Sequence, residues 1–177
     1  MWFSARMECV TRIPFALMLC AMWFAGCASF ETTNYSGDFV RPMDVSSLET
    51  FSYRHTLISG MVVRNSSQEL VMKELSRQVL IQELATRGYE SVNEGGDFYV
   101  VSKWRKEINA SAAEVVRFSL IVELFEGATN KVFWSAELPY IFNAMQWSEQ
   151  RVDQTLRLAI QDFPARLEIS SQLPNVE

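Results

Sequence analysis

The chain has 177 residues, 16 basic and 21 acidic side chains, a net charge of −5, three cysteines and one histidine. With only four lysines, a clustered basic surface for nucleic acid or anionic headgroups is not expected. The apolar share of 49 % is enough for one domain with its own core.

Arg6 and Arg12 precede an apolar run over residues 13–24, and the small pair Ala25-Gly26 then leads to Cys27. A basic segment, a short apolar segment and small residues before a cut make a secretory signal. Phe24-Ala25-Gly26-Cys27 resembles the lipobox of bacterial lipoproteins, with Phe24 where that family usually carries Leu. The resemblance implies that the Cys27 thiol receives a diacylglyceryl group and becomes the new N-terminus. An uncleaved spanning anchor would need about 20 apolar residues, whereas the run here has 12 and contains Pro14. A plain cleaved signal that happens to end at a cysteine is the other reading. Cys9 and Cys20 fall inside the signal, so no disulfide and no cysteine-based metal site is expected. The signal carries one net positive charge, which leaves the mature chain at about −6.

The expected organisation is a signal over 1–26, a lipidated tether over 27–48, one α+β domain over 49–168 and a tail over 169–177. The tether stretch is rich in Ser, Thr, Asn, Asp and Gly and has no period. Alternation over residues 49–54, with Phe51 and Tyr53 on one face, indicates a first strand. Residues 56–63 are apolar but broken by Gly60, and their pattern assigns no element. Ser66-x-x-Glu69 reads as a capping box that opens a helix over 67–87. Its apolar stripe is Val71, Leu75, Val79, Leu80 and Leu84. Gly88 and Tyr89 fit the end of a Schellman motif, with Tyr89 folding back onto Leu84.

Residues 94–97 make a turn into a strand whose one face is Phe98, Val100 and Trp104. After a break at 109–114, residues 115–125 alternate with Val116, Phe118, Leu120, Val122 and Leu124 on one side. The turn at 127–130 joins this run to a last strand over 132–138, an antiparallel hairpin that Pro139 is expected to end. Ser148 caps a final helix whose face is Val152, Leu156, Ala159, Ile160 and Phe163, closed before Pro164. The expected fold is a two-layer α+β sandwich: a mainly antiparallel sheet of about four strands, with two helices on one face, in the order β-α-β-β-β-α.

This set of motifs resembles the lipoprotein family known as domain of unknown function 4136. The residues that carry it are Thr50-Phe51-Ser52-Tyr53, the helix end Leu84-Ala85-Thr86-Arg87-Gly88-Tyr89, Gly96-Asp97-Phe98-Tyr99-Val100, the hairpin from Glu123 to Ser135, and Phe163-Pro164. It spans roughly residues 44–166. It implies a small envelope lipoprotein, with no catalytic residue to carry over.

Chemistry is sparse. His55 after the first strand is the only histidine, and a strand-end histidine bonded to backbone or water is the plain reading. Ser59-Gly60 lacks the G-x-S-x-G elbow, and residues 94–97 supply too few oxygens for a cation loop. Glu114, Glu123, Glu126 and Glu137 read as scattered acids on a solvated sheet face. The apolar residues Tyr140, Ile141, Phe142, Met145 and Trp147 lie between the last strand and helix, as a lid on the core or a contact surface. The expected function is a non-enzymatic, membrane-anchored envelope lipoprotein that binds a protein or lipid partner through Tyr140, Phe142 and Trp147. It sits on the periplasmic face of the outer membrane, without cofactor, metal or nucleic acid. The alternative is a small periplasmic hydrolase or ligand-modifying enzyme built near His55.

Overall fold

A computed structural model describes residues 35, 37–60, 66–109 and 115–166. The signal, Cys27, most of the tether stretch, the 110–114 part of the expected break and the tail lie outside the described residues. Six strands and two helices follow in chain order: β1 (Gly37–Phe39), β2 (Thr50–Ser59), α1 (Ser66–Thr86), β3 (Glu90–Ser91), β4 (Phe98–Asn109), β5 (Val115–Glu126), β6 (Val132–Asn143) and α2 (Glu149–Ile160). They build one sheet in the order β1-β6-β5-β4-β2-β3, with both helices against the same face. The α+β class holds.

Two details of the expected sheet are corrected. The β1-β6, β6-β5 and β5-β4 pairings are antiparallel as expected, but β2 runs parallel to both β3 and β4, so the sheet is mixed. The reason lies in the connection: α1 carries the chain back to the end where β2 began, and a strand that follows such a crossover runs parallel. Two short edge strands were also missing. β1 comes from the stretch read as tether and pairs Gly37–Phe39 against Trp134–Ala136 of β6. A side chain at Gly37 would overlap the Trp134 indole, so glycine is what lets this edge close over the tryptophan.

The helix ends follow local chemistry. At the end of α1, Tyr89 N donates to Leu84 O at 3.2 Å and Gly88 N to Ala85 O at 3.0 Å, the two bonds of a Schellman motif. Gly88 takes φ 89°, which a side chain would disfavour. The expected capping box rests on the Ser66 side chain, which lies outside the described side chains; Glu69 Oε1 accepts from Lys106 Nζ at 3.2 Å. Ser148 Oγ accepts from Arg151 N at 3.2 Å and caps α2. The two helices are clipped together through Glu83, which pairs with Arg87 of α1's end and with Arg157 of α2.

The core lies between helices and sheet. Phe51, Phe98, Phe133, Trp134, Phe163 and Tyr89 form an aromatic cluster, with Phe163 5.5 Å from both the Tyr89 and Trp134 rings. Phe133 and Trp134 are consecutive, yet both are fully buried. The register shifts between Leu124 and Phe125, so Phe133 is an extra residue in β6. Such a bulge turns both rings to one side. A second irregularity corrects the expected end at Pro139. Here β6 gains two residues against β5 and continues to Asn143. Tyr140 absorbs the excess at φ 53°, and its N–H donates to Ser119 Oγ at 3.0 Å in place of a ladder bond.

Candidate functional site

Because both helices occupy one side, the other face of the sheet carries no α-helix among the described residues. Register alternation puts Tyr99, Val101, Lys103, Arg105 and Glu107 of β4 on that face, beside Phe125, Glu123, Ile121, Ser119 and Arg117 of β5. A bulge between Tyr53 and His55 turns Arg54 and His55 of β2 onto it as well.

The most ordered feature of this face is a column of three side chains. Tyr99 and Phe125 are cross-strand partners whose rings stack at 4.9 Å and 4°. On the other side of Tyr99, the Arg54 guanidinium lies 4.4 Å from the ring centroid. Asn130 fixes the end of the column. It takes φ 56° in the β5–β6 turn, and its Oδ1 accepts from Tyr99 Oη at 3.2 Å and Arg54 Nη1 at 3.4 Å.

Arg54, Tyr99 and Asn130 border a polar groove of about 490 Å³, which Ser52, Asn93, Glu94 and the Gly95–Gly96 bend also line. The bend is held close: a side chain at Gly96 would meet the Phe51 backbone, and one at Gly127 would meet Gly96 O. Asp97, at the end of the bend, is engaged through one carboxylate oxygen. Its Oδ2 accepts from Glu49 N (2.9 Å), Thr50 N (2.8 Å) and Thr50 Oγ1 (2.9 Å). Those backbone N–H groups hold the Asp97 carboxyl below its ordinary value.

Of the residues singled out from sequence, Glu114 lies outside the described residues, and the described ones are not brought together. His55 is exposed on the open face opposite Val101. Glu123 is paired with Lys103 at 2.6 Å, Glu126 with Arg41 at 2.6 Å, and Glu137 is exposed opposite Ile121. Among the described residues no three His, Cys, Asp or Glu side chains are grouped as a metal site. The aromatic trio separates. Tyr140 is 54 % exposed, with Arg117 6.0 Å from its ring. Phe142 is 3 % exposed and packs at 5.0 Å on Phe118, so it is a core residue and offers no contact surface. Trp147 is half-buried against the core, with its Nε1 lacking a partner among the described residues. Cys27 lies outside the described residues.

Sequence reasoning missed Arg54, Tyr99 and Asn130, which come from three separated segments and meet only through strand register. The one local sign was Gly127-Ala128-Thr129-Asn130, since Asn tolerates the left-handed conformation a tight turn needs.

No described helix is long and apolar enough to cross a membrane. No family model and no curated protein matches the chain. Among solved structures it is similar to a PelC variant dodecamer from Paraburkholderia phytofirmans, at 8 % identity over 75 % of this chain and 99 % of that one, TM-score 0.46. It is similar to a DUF4136 family protein from Bacteroides thetaiotaomicron, at 10 % identity over 73 % and 94 %, TM-score 0.46. Lipoprotein GNA1162 from Neisseria meningitidis is matched at 12 % identity over 70 % and 99 %, TM-score 0.36. The solved structures similar to this chain include a lipoprotein and a DUF4136 family protein.

Proposed function

We propose that this chain is a lipid-anchored binding protein of the bacterial envelope, non-enzymatic, with the open face of its sheet as the contact surface. The single observation that carries the reading is the division of the domain into a helix-covered face and an open face, on which Arg54, Tyr99, Phe125 and Asn130 are locked together. The anchor is read from Phe24-Ala25-Gly26-Cys27. One acyl chain holds a protein only marginally, and each buried methylene adds about 0.8 kcal/mol, so the several chains implied by the lipobox would hold it firmly. Ala28 and Ser29 after Cys27, where some Gram-negative bacteria place Asp to retain a lipoprotein, support the periplasmic face of the outer membrane.

Two measurements test this. Cys27→Ser abolishes labelling by a fatty-acid probe and releases the domain from the membrane fraction; labelling that persists overturns the anchor. A photo-crosslinker placed at Leu57 or Arg105, exposed on the open face, captures a partner in intact cells, whereas one at Gln154 of α2 does not. Equal capture from both faces overturns the assignment of the surface.

A further inference from the structure

We propose that the groove beside Arg54 binds a monoanionic, carboxylate-bearing ligand through the Arg54 guanidinium; this deepens the binding reading above and rests on it. The first argument is a contrast among the arginines. Arg41, Arg77, Arg87, Arg157 and Arg166 each face a carboxylate. Arg54, Arg105, Arg117 and Arg151 have no such ion pair among the described residues, and of these four Arg54 is the one held both by an aromatic ring at 4.4 Å, that of Tyr99, and by a side-chain carbonyl oxygen, that of Asn130. Stacking on an aromatic face orients a guanidinium without neutralising it, and its planar fork of donors matches a carboxylate in two parallel bonds.

The second argument is preorganisation. Tyr99 cannot swing away, because Phe125 stacks on its far face and Asn130 accepts its hydroxyl proton. Asn130 is itself fixed by the left-handed turn. Its Oδ1 is engaged twice while its amide NH2 has no partner among the described residues. A cation and an amide donor are thus held ready on one rim, with little ordering left to do when a ligand arrives.

The third argument is selectivity. The groove's volume, about 490 Å³, falls within the range of small-ligand sites, and its lining calls for a polar occupant. Glu94 stands on the same rim. It repels a doubly charged phosphate but accepts from a hydroxyl or ammonium beside a single carboxylate. Two sources share that chemistry, a sugar acid and the C-terminus of a peptide.

Saturation-transfer NMR on the full acylated protein in detergent micelles separates them, with D-glucuronate against D-glucose and a Gly-Gly-Ala peptide against its C-terminal amide. The expected result is transfer to one or both acids, with their neutral counterparts and inorganic phosphate silent. Arg54→Gln binds about tenfold or more weakly, as the loss of a charge-assisted pair implies, whereas Gln154→Ala on α2, outside the groove, binds as the parent does. Transfer to glucuronate alone identifies a saccharide source; transfer to the peptide alone identifies a chain terminus. Equal binding of the neutral compounds, undiminished binding by Arg54→Gln, or no transfer to either acid overturns the proposal. If the acids fail while crosslinking from Leu57 still captures a partner, this site falls and the binding reading stands.

Discussion

Trp104 Nε1 donates to Ser76 Oγ at 2.9 Å, and Ser76 Oγ in turn donates to Met72 O at 2.7 Å. Both side chains are completely buried, so this short relay is where α1 is keyed to the centre of the sheet. A buried indole N–H without an acceptor is expensive, and only a hydroxyl at position 76 can accept from it while donating to the helix backbone.

Ser76→Ala therefore leaves the Trp104 N–H unpaired and lowers stability by about 1–3 kcal/mol in a denaturant titration. Ser76→Thr keeps the hydroxyl but adds a methyl to a packed site, and falls between the two. If Ser76→Ala unfolds at the parent's midpoint, the relay contributes nothing to α1's docking.

Asp97 predicts a pH dependence. Its folded-state value lies below the ordinary 3.8 because the Glu49 and Thr50 amides bond the charged form. The unfolded chain therefore binds the proton first as pH falls, and the stability from this carboxylate, present above about pH 4, is lost below it. Glu126 is lowered by Thr129 and Arg41 in the same direction, so Asp97→Asn reduces the acid slope without removing it. An unchanged slope between pH 5 and 2 refutes the assignment. At neutral pH, Asp97→Ala costs about 1 kcal/mol, the modest figure expected for bonds at a solvent-exposed site.

The bulge in β6 separates two aromatic residues that sequence placed in one loop. Phe142→Ala removes a ring packed on Phe118 and Trp104 and costs about 3–5 kcal/mol. Tyr140→Gly changes stability by less than about 0.5 kcal/mol, since relief at φ 53° offsets the freedom gained by the unfolded chain. Comparable losses from the two substitutions, measured by thermal unfolding, would show that both rings belong to the core.

How much of this was legible follows from what is local. The Schellman end at Leu84, Gly88 and Tyr89, the Ser148 cap and the apolar faces of β4, β5 and α2 are properties of short windows, and all appear as read. The α1 stripe is displaced, with Met72 and Ser76 fully buried while Val71 and Leu75 are only half-buried. A serine reads as polar in any window, and its partner Trp104 is brought near only by the fold. The parallel pairing of β2 with β4 also escapes a strand-by-strand reading, because direction is set by the crossover. The groove was least visible. Tyr99 shows only as the polar alternate of a core strand, and nothing near Arg54 announces that its neighbour will be an aromatic face.

Tyr89 gives the last prediction, at the alkaline end. It is buried against Phe98 and Phe163, and its hydroxyl donates to Pro164 O at 3.1 Å. Desolvation pushes its ionisation up from 10.0 to about 12. Between those values the unfolded chain gives up the phenol proton and the native state keeps it. Stability contributed below pH 10 is accordingly lost as pH rises toward 12. Tyr53, raised by burial too, adds to the same slope. In Tyr89→Phe the slope between pH 10 and 12 is shallower, while stability at pH 7 falls by about 0.5–1.5 kcal/mol for the lost bond to Pro164. Ultraviolet titration of the native protein checks the origin directly: Tyr89 ionises well above an exposed tyrosine, and the late component vanishes in part with Tyr89→Phe. A native titration in which every tyrosine ionises together near pH 10 defeats this account of how the end of α1 is sealed.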